Sequence, residues 1–491
     1  MFKRTVFSAT SIGLMILSGC QTEKTYEQKR AEKACDQYYH ISTKTLDAGD
    51  SLTVAQCIEN ALENNLDIKV QEVREAVGNA RRTAAVLAML PEVNINETMM
   101  ARSNEPGSSS QNVYTGAQSL TPSKSSEKTQ NTFNIDMALS VIDFGLAYFN
   151  SVQARDRELI LGEQKKRAIQ NLSYDVAKQY FRVAAVQYAI RQSANMMART
   201  GNIEQILEDI QKEKNISALR ALDEKRRFIN LEKKLRQYQV SYEDSCIQLK
   251  AVMGFRPNHR IRVDDTLLDR LNAIKVPRVE LLEKLAIRER PELYEADIQR
   301  HISIVDARKA ILQMFPNVRM FADYNDASNK YLYNNQWWAL GIRTAYDLFS
   351  VPKTVFEYRS KVKEAEALDA KTISLALGVM TQVRLAHSAM MQAKRVYDLE
   401  NKAYLVYKEQ LDAVRKIYDA GGEFSQLELD GLEMETADHC ISKAFALSEY
   451  YLAYYRLCNA VGVSCLDPRV LEQKIAAIRN QEHGMAVASG K

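Results

Sequence analysis

Proline is scarce in this chain of 491 residues: there are 9, and none lies between Pro122 and Pro257 or between Pro352 and Pro468. Two stretches longer than a hundred residues are therefore free of the residue that breaks helices. Glycine is also sparse at 18, which disfavours folds built on glycine-rich phosphate loops. The 7 cysteines are spread over the whole length, so a small disulfide-stapled scaffold is excluded. Long apolar runs are missing too, and a mean hydropathy of -0.34 argues against a polytopic helical membrane protein. What remains is a chain with 46% hydrophobic and 26% charged residues, rich enough in apolar side chains to fold.

The N-terminus reads as a targeting segment. Lys3 and Arg4 precede an apolar run from Val6 to Leu17, too short for a spanning helix but suited to the hydrophobic region of a secretory signal. It ends in Leu17-Ser18-Gly19-Cys20, which resembles a bacterial lipobox. That resemblance implies cleavage after residue 19 and covalent lipid on Cys20, with no other cofactor; two or more acyl chains anchor stably where one does not. Gln21, in place of Asp, resembles the outer-membrane sorting choice. The alternative is an ordinary secretory signal with a chance Cys. Cleavage would leave 64 Lys and Arg against 62 Asp and Glu, a net charge of +2 that gives no reason to expect nucleic acid. Six Cys besides Cys20 would then remain, and Cys458 with Cys465 and Cys35 with Cys57 are the local pairings to test first.

The rest is organised by a duplication, and a repeat of this size decides the fold. Each half reads helix, strand, loop, strand, very long helix, tight turn, helix. Leu90-Pro91 leads into Glu92-Val93-Asn94-Ile95-Asn96, and Phe315-Pro316 into Asn317-Val318-Arg319-Met320. Ser217 to Gly254 and Ser425 to Gly462 are both 37 residues.

Phe133, Ile135, Met137, Leu139 and Val141 alternate with Asn134, Asp136, Ala138 and Ser140, a two-faced strand. The same period holds for Val318, Met320, Ala322 and Tyr324, for Trp338, Leu340, Ile342, Thr344 and Tyr346, and more weakly from Val93 and Ile95. Each segment has the length of a tilted membrane-crossing strand. Tyr331, Tyr333, Trp337, Trp338, Phe144, Tyr148 and Phe149 gather near the strand ends like an interfacial belt. Alternation alone also fits a small soluble sheet packed on helices.

From Val379 to Tyr418, positions 379, 383, 386, 390, 393, 397, 404, 407, 411, 414 and 418 carry apolar side chains in a three-four spacing broken only at Glu400. A period of 3.5 predicts left-handed coiling with neighbouring helices. An unbroken helix from about 353 to 419 is roughly 100 Å long at 1.5 Å per residue. Its match in the first half runs from about 146 to 212, with Ile169, Leu172, Val176, Val183 and Ile190 on one face.

At this point the chain resembles the TolC-like family of outer-membrane efflux proteins, from Ser51 to Gly462. The resemblance is carried by Ser51-Leu52-Thr53-Val54-Ala55-Gln56-Cys57-Ile58, Ala61-Leu62-Glu63-Asn64-Asn65, the two Pro steps, and the helix ends Ala251-Val252-Met253-Gly254 and Asn459-Ala460-Val461-Gly462. It implies a mostly α fold with a small β part, two tandem repeats of long coiled helices plus two strands each. Three chains would close a 12-stranded outer-membrane β-barrel, continued by a periplasmic α-helical barrel. The implied partners of this homotrimer are a periplasmic adaptor protein and an inner-membrane pump, and the implied function is the exit duct of a tripartite efflux or type I secretion system. The rivals are a duct for a secreted protein or peptide, and a non-transporting lipid-anchored coiled-coil scaffold.

The adaptor-binding tips implied by the resemblance are Ser217, Ala218 and Leu219 on the first turn and Gly422, Ser425, Gln426 and Leu427 on the second; Ser and Leu that simply cap and pack a turn are the alternative. Glu428 matches an acidic position at the closed entrance of related channels, where three copies form a ring, with Asp430 and Glu423 as neighbouring gate candidates. The sequence departs from the pattern: the second ring position is Gly431, a basic residue expected in the turn is Glu423, and Gly421-Gly422 adds a residue. The proline usual before the strand-to-helix step is replaced by Ser140 and Asp347. A solvated acidic face is the alternative to a gate. Catalytic motifs are lacking: there is no HExxH, no GxSxG and no phosphate loop, and the 6 His are scattered, so no enzyme is expected.

The expected organisation is a signal peptide at 1–19, a lipid-anchored tether at 20–50, a first repeat at 51–255, a linker at 256–278, a second repeat at 279–462 and a tail at 463–491. The segment 103–131, rich in Ser, Gln, Thr, Gly and Pro, reads as an external loop longer than the second one at 328–336.

Overall fold

A computed structural model describes residues 23–43, 51–119, 121–212, 218–256, 261–271, 274–422, 424, 426–464, 471 and 473–477. Cys20, Ser217, Glu423, Ser425 and Cys465 lie outside the described residues. The described chain runs α1 (Glu23–Ser42), α2 (Val54–Asn64), α3 (Leu66–Leu87), β1 (Glu92–Ala101), β2 (Thr129–Ser140), α4 (Val141–Lys212) and α5 (Ala218–Met253). A short 3-10 turn at Thr266–Leu268 precedes α6 (Val279–Glu289), α7 (Pro291–Leu312), β3 (Asn317–Ala327), β4 (Gln336–Ala345), α8 (Ser350–Asp419) and α9 (Gln426–Val461). The long helices α4 and α8 have 72 and 70 residues, and α5 and α9 have 36 each. Among the described residues, no helix is long and apolar enough to cross a membrane.

The joints follow from local chemistry. Proline fixes φ and lacks an N–H, and Pro91 and Pro316 stand between a helix and the strand that follows. In the reverse direction β2 runs straight into α4, five residues before the expected start near 146, because Ser140 supplies the cap: its Oγ accepts from the Asp143 N–H at 3.2 Å. Asp347 does the same before α8, accepting from the Phe349 and Ser350 N–H groups at 3.0 and 3.3 Å. Ser and Asp thus end these strands by hydrogen bonding, where a proline would do so sterically.

The chain divides into two compact units. One comprises Asp67–Ala168 and Glu283–Gln382 and contains the sheet. There α3, α4 and α7 approach closely where glycine leaves room: a Cβ on Gly78 would lie 2.8 Å from Leu161 Cδ1, and one on Gly145 2.5 Å from Leu312 Cδ2. Polar side chains tie these helices. The buried Gln153 amide donates to the Ile302 carbonyl (3.1 Å) and to Asp306 (2.7 Å), and Arg167 pairs with Glu292 at 2.8 Å.

The other unit comprises the residues up to Leu66, Ile169–Leu282 and Val383 onward. Its core is aromatic: Tyr180, Phe181, Tyr450, Tyr451 and Tyr454 are buried, with the Tyr180 hydroxyl donating to the Asp264 carbonyl at 2.8 Å. The α8 stripe reads as expected: Val383, Ala386, Met390, Tyr397 and Val414 are buried, while Leu385, Leu399 and Val406 between them are exposed. Both helix ends that the resemblance picked out close in the left-handed region, Gly254 at φ +80 and Gly462 at φ +83, with Phe255 N–H bonding to the Lys250 carbonyl (2.9 Å) and Val463 N–H to that of Cys458 (3.0 Å).

One cysteine expectation is corrected. Cys35 and Cys57 are both free, the first exposed on α1 and the second fully buried on α2. Cys458 is disulfide-bonded, to a partner outside the described residues. Burial pushes the Cys57 thiol up to about 12, so almost no thiolate forms near neutrality. With a maleimide at about pH 8, Cys35 is expected to label in the native protein and Cys57 only after denaturation, as read by peptide mass mapping; native labelling of Cys57 at a comparable rate would contradict its placement.

Candidate functional site

The four strands form one antiparallel sheet in the order β1-β2-β3-β4. Register assigns each side chain to a face. On one face the rows are Ile95–Ile135–Tyr324–Trp338, Val93–Met137–Ala322–Leu340 and Leu139–Met320–Ile342. On the other they are Asn96–Asn134–Asn325–Trp337 and Asn94–Asp136–Asp323–Ala339.

The apolar face is exposed. Leu340, Trp338 and Ile342 keep 78%, 72% and 71% of their surface open to solvent, so the face is not packed on helices as a soluble sheet requires. The polar face is hydrogen-bonded within itself in part: Asn134 donates to Asn325 at 2.9 Å, and Asn94 and Asn96 donate to Asp136 at 3.2 and 2.9 Å. Strands β1 and β4 are edges, each pairing on one side alone.

Aromatics flank the apolar rows. Tyr331, Tyr333 and Trp338 are exposed near the loops, and Phe144 and Tyr148 near the helices. Trp337 is corrected: opposite Asn325, it belongs to the polar face. Phe315, Tyr346, Leu348 and Phe349 are also exposed beside the helix joints. Tyr346 closes an alternating run, whereas Phe315, Leu348 and Phe349 lie outside such runs and were not expected in the belt. The loop between β1 and β2 is shorter than read, since β2 begins at Thr129, and it folds on itself through bridges between Ser108 and Ser123 and between Gln111 and Gln118.

The second turn is built by its two glycines. Gly421 adopts φ +77, and the Gly422 N–H bonds back to the Ile417 carbonyl at 2.9 Å, a 6→1 closure of α8. A Cβ on Gly422 would lie 2.5 Å from Ile417 Cγ2 and 2.9 Å from that carbonyl oxygen, so the inserted residue must be glycine. Gln426 opens α9 and is exposed, as is Glu428. Asp430 is 7% exposed, with its carboxylate accepting from the Gln426 amide at 3.0 Å. The two acids therefore differ in the single chain: one meets solvent, the other is held against protein. On the first turn, Ala218 and Leu219 begin α5.

Further along α9, features emerge that the sequence reading did not isolate. Arg415 bridges to Glu433, Lys234 to Asp438, and Lys443, though 8% exposed, lies 4.5 Å from the Tyr404 ring centroid. Tyr407 stacks on His439 at 4.1 Å. Three of these pairings join the successive helices α8 and α9, and Lys234–Asp438 joins α5 to α9 across 204 residues. An open groove of about 480 Å³ runs past Lys234, Tyr407, Gly431, Asp438 and His439. Among the described residues no three His, Cys, Asp or Glu side chains are grouped to hold a metal. Gly431 lies inside α9, and a Cβ there would meet nothing within 4 Å. Gly431→Ala is therefore expected to stabilise by about 0.5–1 kcal/mol, seen as a raised denaturation midpoint; a lowered midpoint would point to contacts the chain does not show alone.

Comparison with solved structures places this fold. The outer-membrane channel OprN superposes with a TM-score of 0.66 at 15% identity, over 84% of this chain and 91% of that one. The outer membrane protein VceC of Vibrio cholerae gives 0.64 at 15%, over 84% and 96%, and the open-state MtrE outer membrane channel of Neisseria gonorrhoeae 0.61 at 17%, over 86% and 94%. No family model matches the chain, and no curated protein is similar to it in sequence. The chain has the fold of the TolC-like outer-membrane channels, as the resemblance of its sequence implied.

Proposed function

We propose that this chain is the exit duct of a tripartite efflux or type I secretion system: a homotrimer anchored in the outer membrane, lipidated at Cys20 and reaching into the periplasm. The observation that carries the reading is the sheet, whose apolar face is exposed, whose other face is polar and charged, and whose two edges are open. Lipid covers such an apolar face, and closure removes such edges. Four strands per chain are too few to close a barrel that carries a duct, and three chains supply twelve.

In this reading the two repeats supply one hairpin of strands each, and α4 and α8 continue as the wall of an α-helical tunnel. Glu428, exposed at the start of α9, is the better entrance acid than Asp430, which is buried. Ala218, Leu219, Gly422, Gln426 and Leu427, with Ser217 and Ser425, offer the tips to a periplasmic adaptor that brings an inner-membrane pump. Cargo selection rests with the pump, because a polar duct has no dedicated pocket; small toxic compounds fit such a duct, as does an unfolded peptide. A lipid-anchored scaffold has no use for the exposed apolar strand face.

Site-directed photo-crosslinking from positions 219 and 427 in whole cells tests the assembly. Expected is capture of a periplasmic adaptor at both sites and none from a position on the polar sheet face. Equal capture at all three, or none with an intact trimer, would contradict the tip assignment.

A further inference from the structure

The polar face of the sheet sorts its charges into levels. Asp136 on β2 and Asp323 on β3 are directly opposite. Asn94 and Asn96 both donate to Asp136, which holds that carboxylate as an acceptor, while the Asp323 carboxylate has no hydrogen bond among the described residues. Four residues along β3, nearer the helices and on the same face, stands Arg319, directly opposite Arg343 of β4. Between the two levels lie Ala138, Phe321 and Gly341, with Glu92 at the β1 end. The Phe321 ring fills the place of a side chain at Gly341, where a Cβ would be 2.4 Å from Cζ, and the Arg343 guanidinium stands 5.8 Å from that ring's centroid.

Like charges directly opposite one another destabilise a sheet. This sheet carries two such pairs of opposite sign, and neither is paired with the other: at about 3.3 Å per residue they are about 13 Å apart along the strand. That exceeds the Debye length of about 10 Å at 0.1 M salt, so a passing ion meets each level in turn.

We propose that in the assembled barrel these levels act in series as a bipolar filter, acidic toward the loops and basic toward the helices, so that the duct rectifies ion flow. The inference rests on the barrel reading above. With the loop side positive, cations enter through Asp136 and Asp323 while anions enter through Arg319 and Arg343, and carriers accumulate between them. With the polarity reversed, both are drawn out and that segment is depleted. Rings of fixed charge select ions in this way; the new element is that two rings of opposite sign follow one another inside one sheet.

The test is current through purified full-length protein in a planar bilayer in about 0.1 M KCl, added from one side to fix its orientation. Expected is a larger current with the loop side positive, a ratio that falls to about one in Arg319→Gln/Arg343→Gln, and loss of rectification in the native protein at about 1 M KCl, where screening shortens to about 3 Å. The Asp136→Asn/Asp323→Asn variant should likewise lose it. A heat-resistant trimer on gels shows that each variant assembles, and Arg319→Gln alone, which leaves the Arg343–Phe321 contact intact, should lower the ratio part of the way. Conductance that is symmetric in the native protein, or rectification unchanged without the arginines, overturns the filter and leaves the barrel standing. Trimeric protein that does not conduct even with Glu428 and Asp430 neutralised overturns both.

Discussion

Leu340→Arg is expected to abolish outer-membrane assembly, and Ala339→Arg to leave it intact. Leu340 lies in the middle of β4 on the exposed apolar face, in the row Val93–Met137–Ala322–Leu340. An arginine on the lipid face of a barrel near the bilayer midplane costs about 2–4 kcal/mol, and a trimer incurs that three times. The total rivals the whole stability of a typical domain. Ala339, one residue away, points to the polar face directly opposite Asp323, where a guanidinium gains a carboxylate partner. Ile342→Arg is expected to follow Leu340→Arg. The measurement is the yield of heat-resistant trimer in outer-membrane fractions. Normal trimer from Leu340→Arg would mean that this face does not meet lipid.

The second large effect is on folding. At Gly254→Val, the new side chain meets two obstacles: a φ of +80, and the backbone of α2, with Asn64 O at 2.6 Å and Asn64 C at 3.0 Å from the first added carbon. Backbone cannot swing aside as a flexible side chain does. The neighbouring Asn65 amide, which donates to the Val252 carbonyl at 2.9 Å, ties the same two segments together. A loss of about 2–4 kcal/mol is expected, against about 1–2 kcal/mol for Gly462→Val, where positive φ is the established obstacle. The denaturation midpoint of the purified protein ranks the two. A Gly254→Val midpoint at or above that of Gly462→Val would show that α2 does not seat against the end of α5 in this way.

The long helices were legible because two independent signals agreed, proline-free length and a three-four apolar stripe. Val383, Met390 and Tyr397 are buried where that stripe put them. The strands were legible because alternation is a face assignment, and the cross-strand rows bring the alternating residues together on one face. Where a residue stood outside a periodic run, reading failed. Thr129, Gln130 and Asn131 are polar on both faces, so only their pairing with Ala101, Met100 and Met99 makes them strand. Trp337 and Trp338 are adjacent aromatics, and a belt expectation cannot separate them, whereas register puts them on opposite faces. Glu428 and Asp430 looked alike as acids near a turn; the hydrogen bond from Gln426 and the burial that distinguishes Asp430 depend on how α9 packs. Cys35 and Cys57 looked like a local pair, but helix packing, which sequence separation does not encode, leaves one in solvent and buries the other.

The departures from the family's pattern are also intelligible. Ser140 and Asp347 cap the helices that a proline step would have introduced. Gly422 takes up the inserted residue by closing back on Ile417, so the turn lengthens without displacing the end of α8. Gly431, at the second ring position, carries no side chain at all, which leaves Glu428 as the acid by which an entrance ring would close.

The central claim is that this chain forms a conducting duct, and single-channel recording in a planar bilayer tests it most directly. The account predicts a small or intermittent conductance for the native protein and a larger, steadier one for Glu428→Gln, in which the acidic ring at the entrance is neutralised. Trimeric protein that conducts neither in its native form nor with Glu428 and Asp430 both neutralised would contradict it.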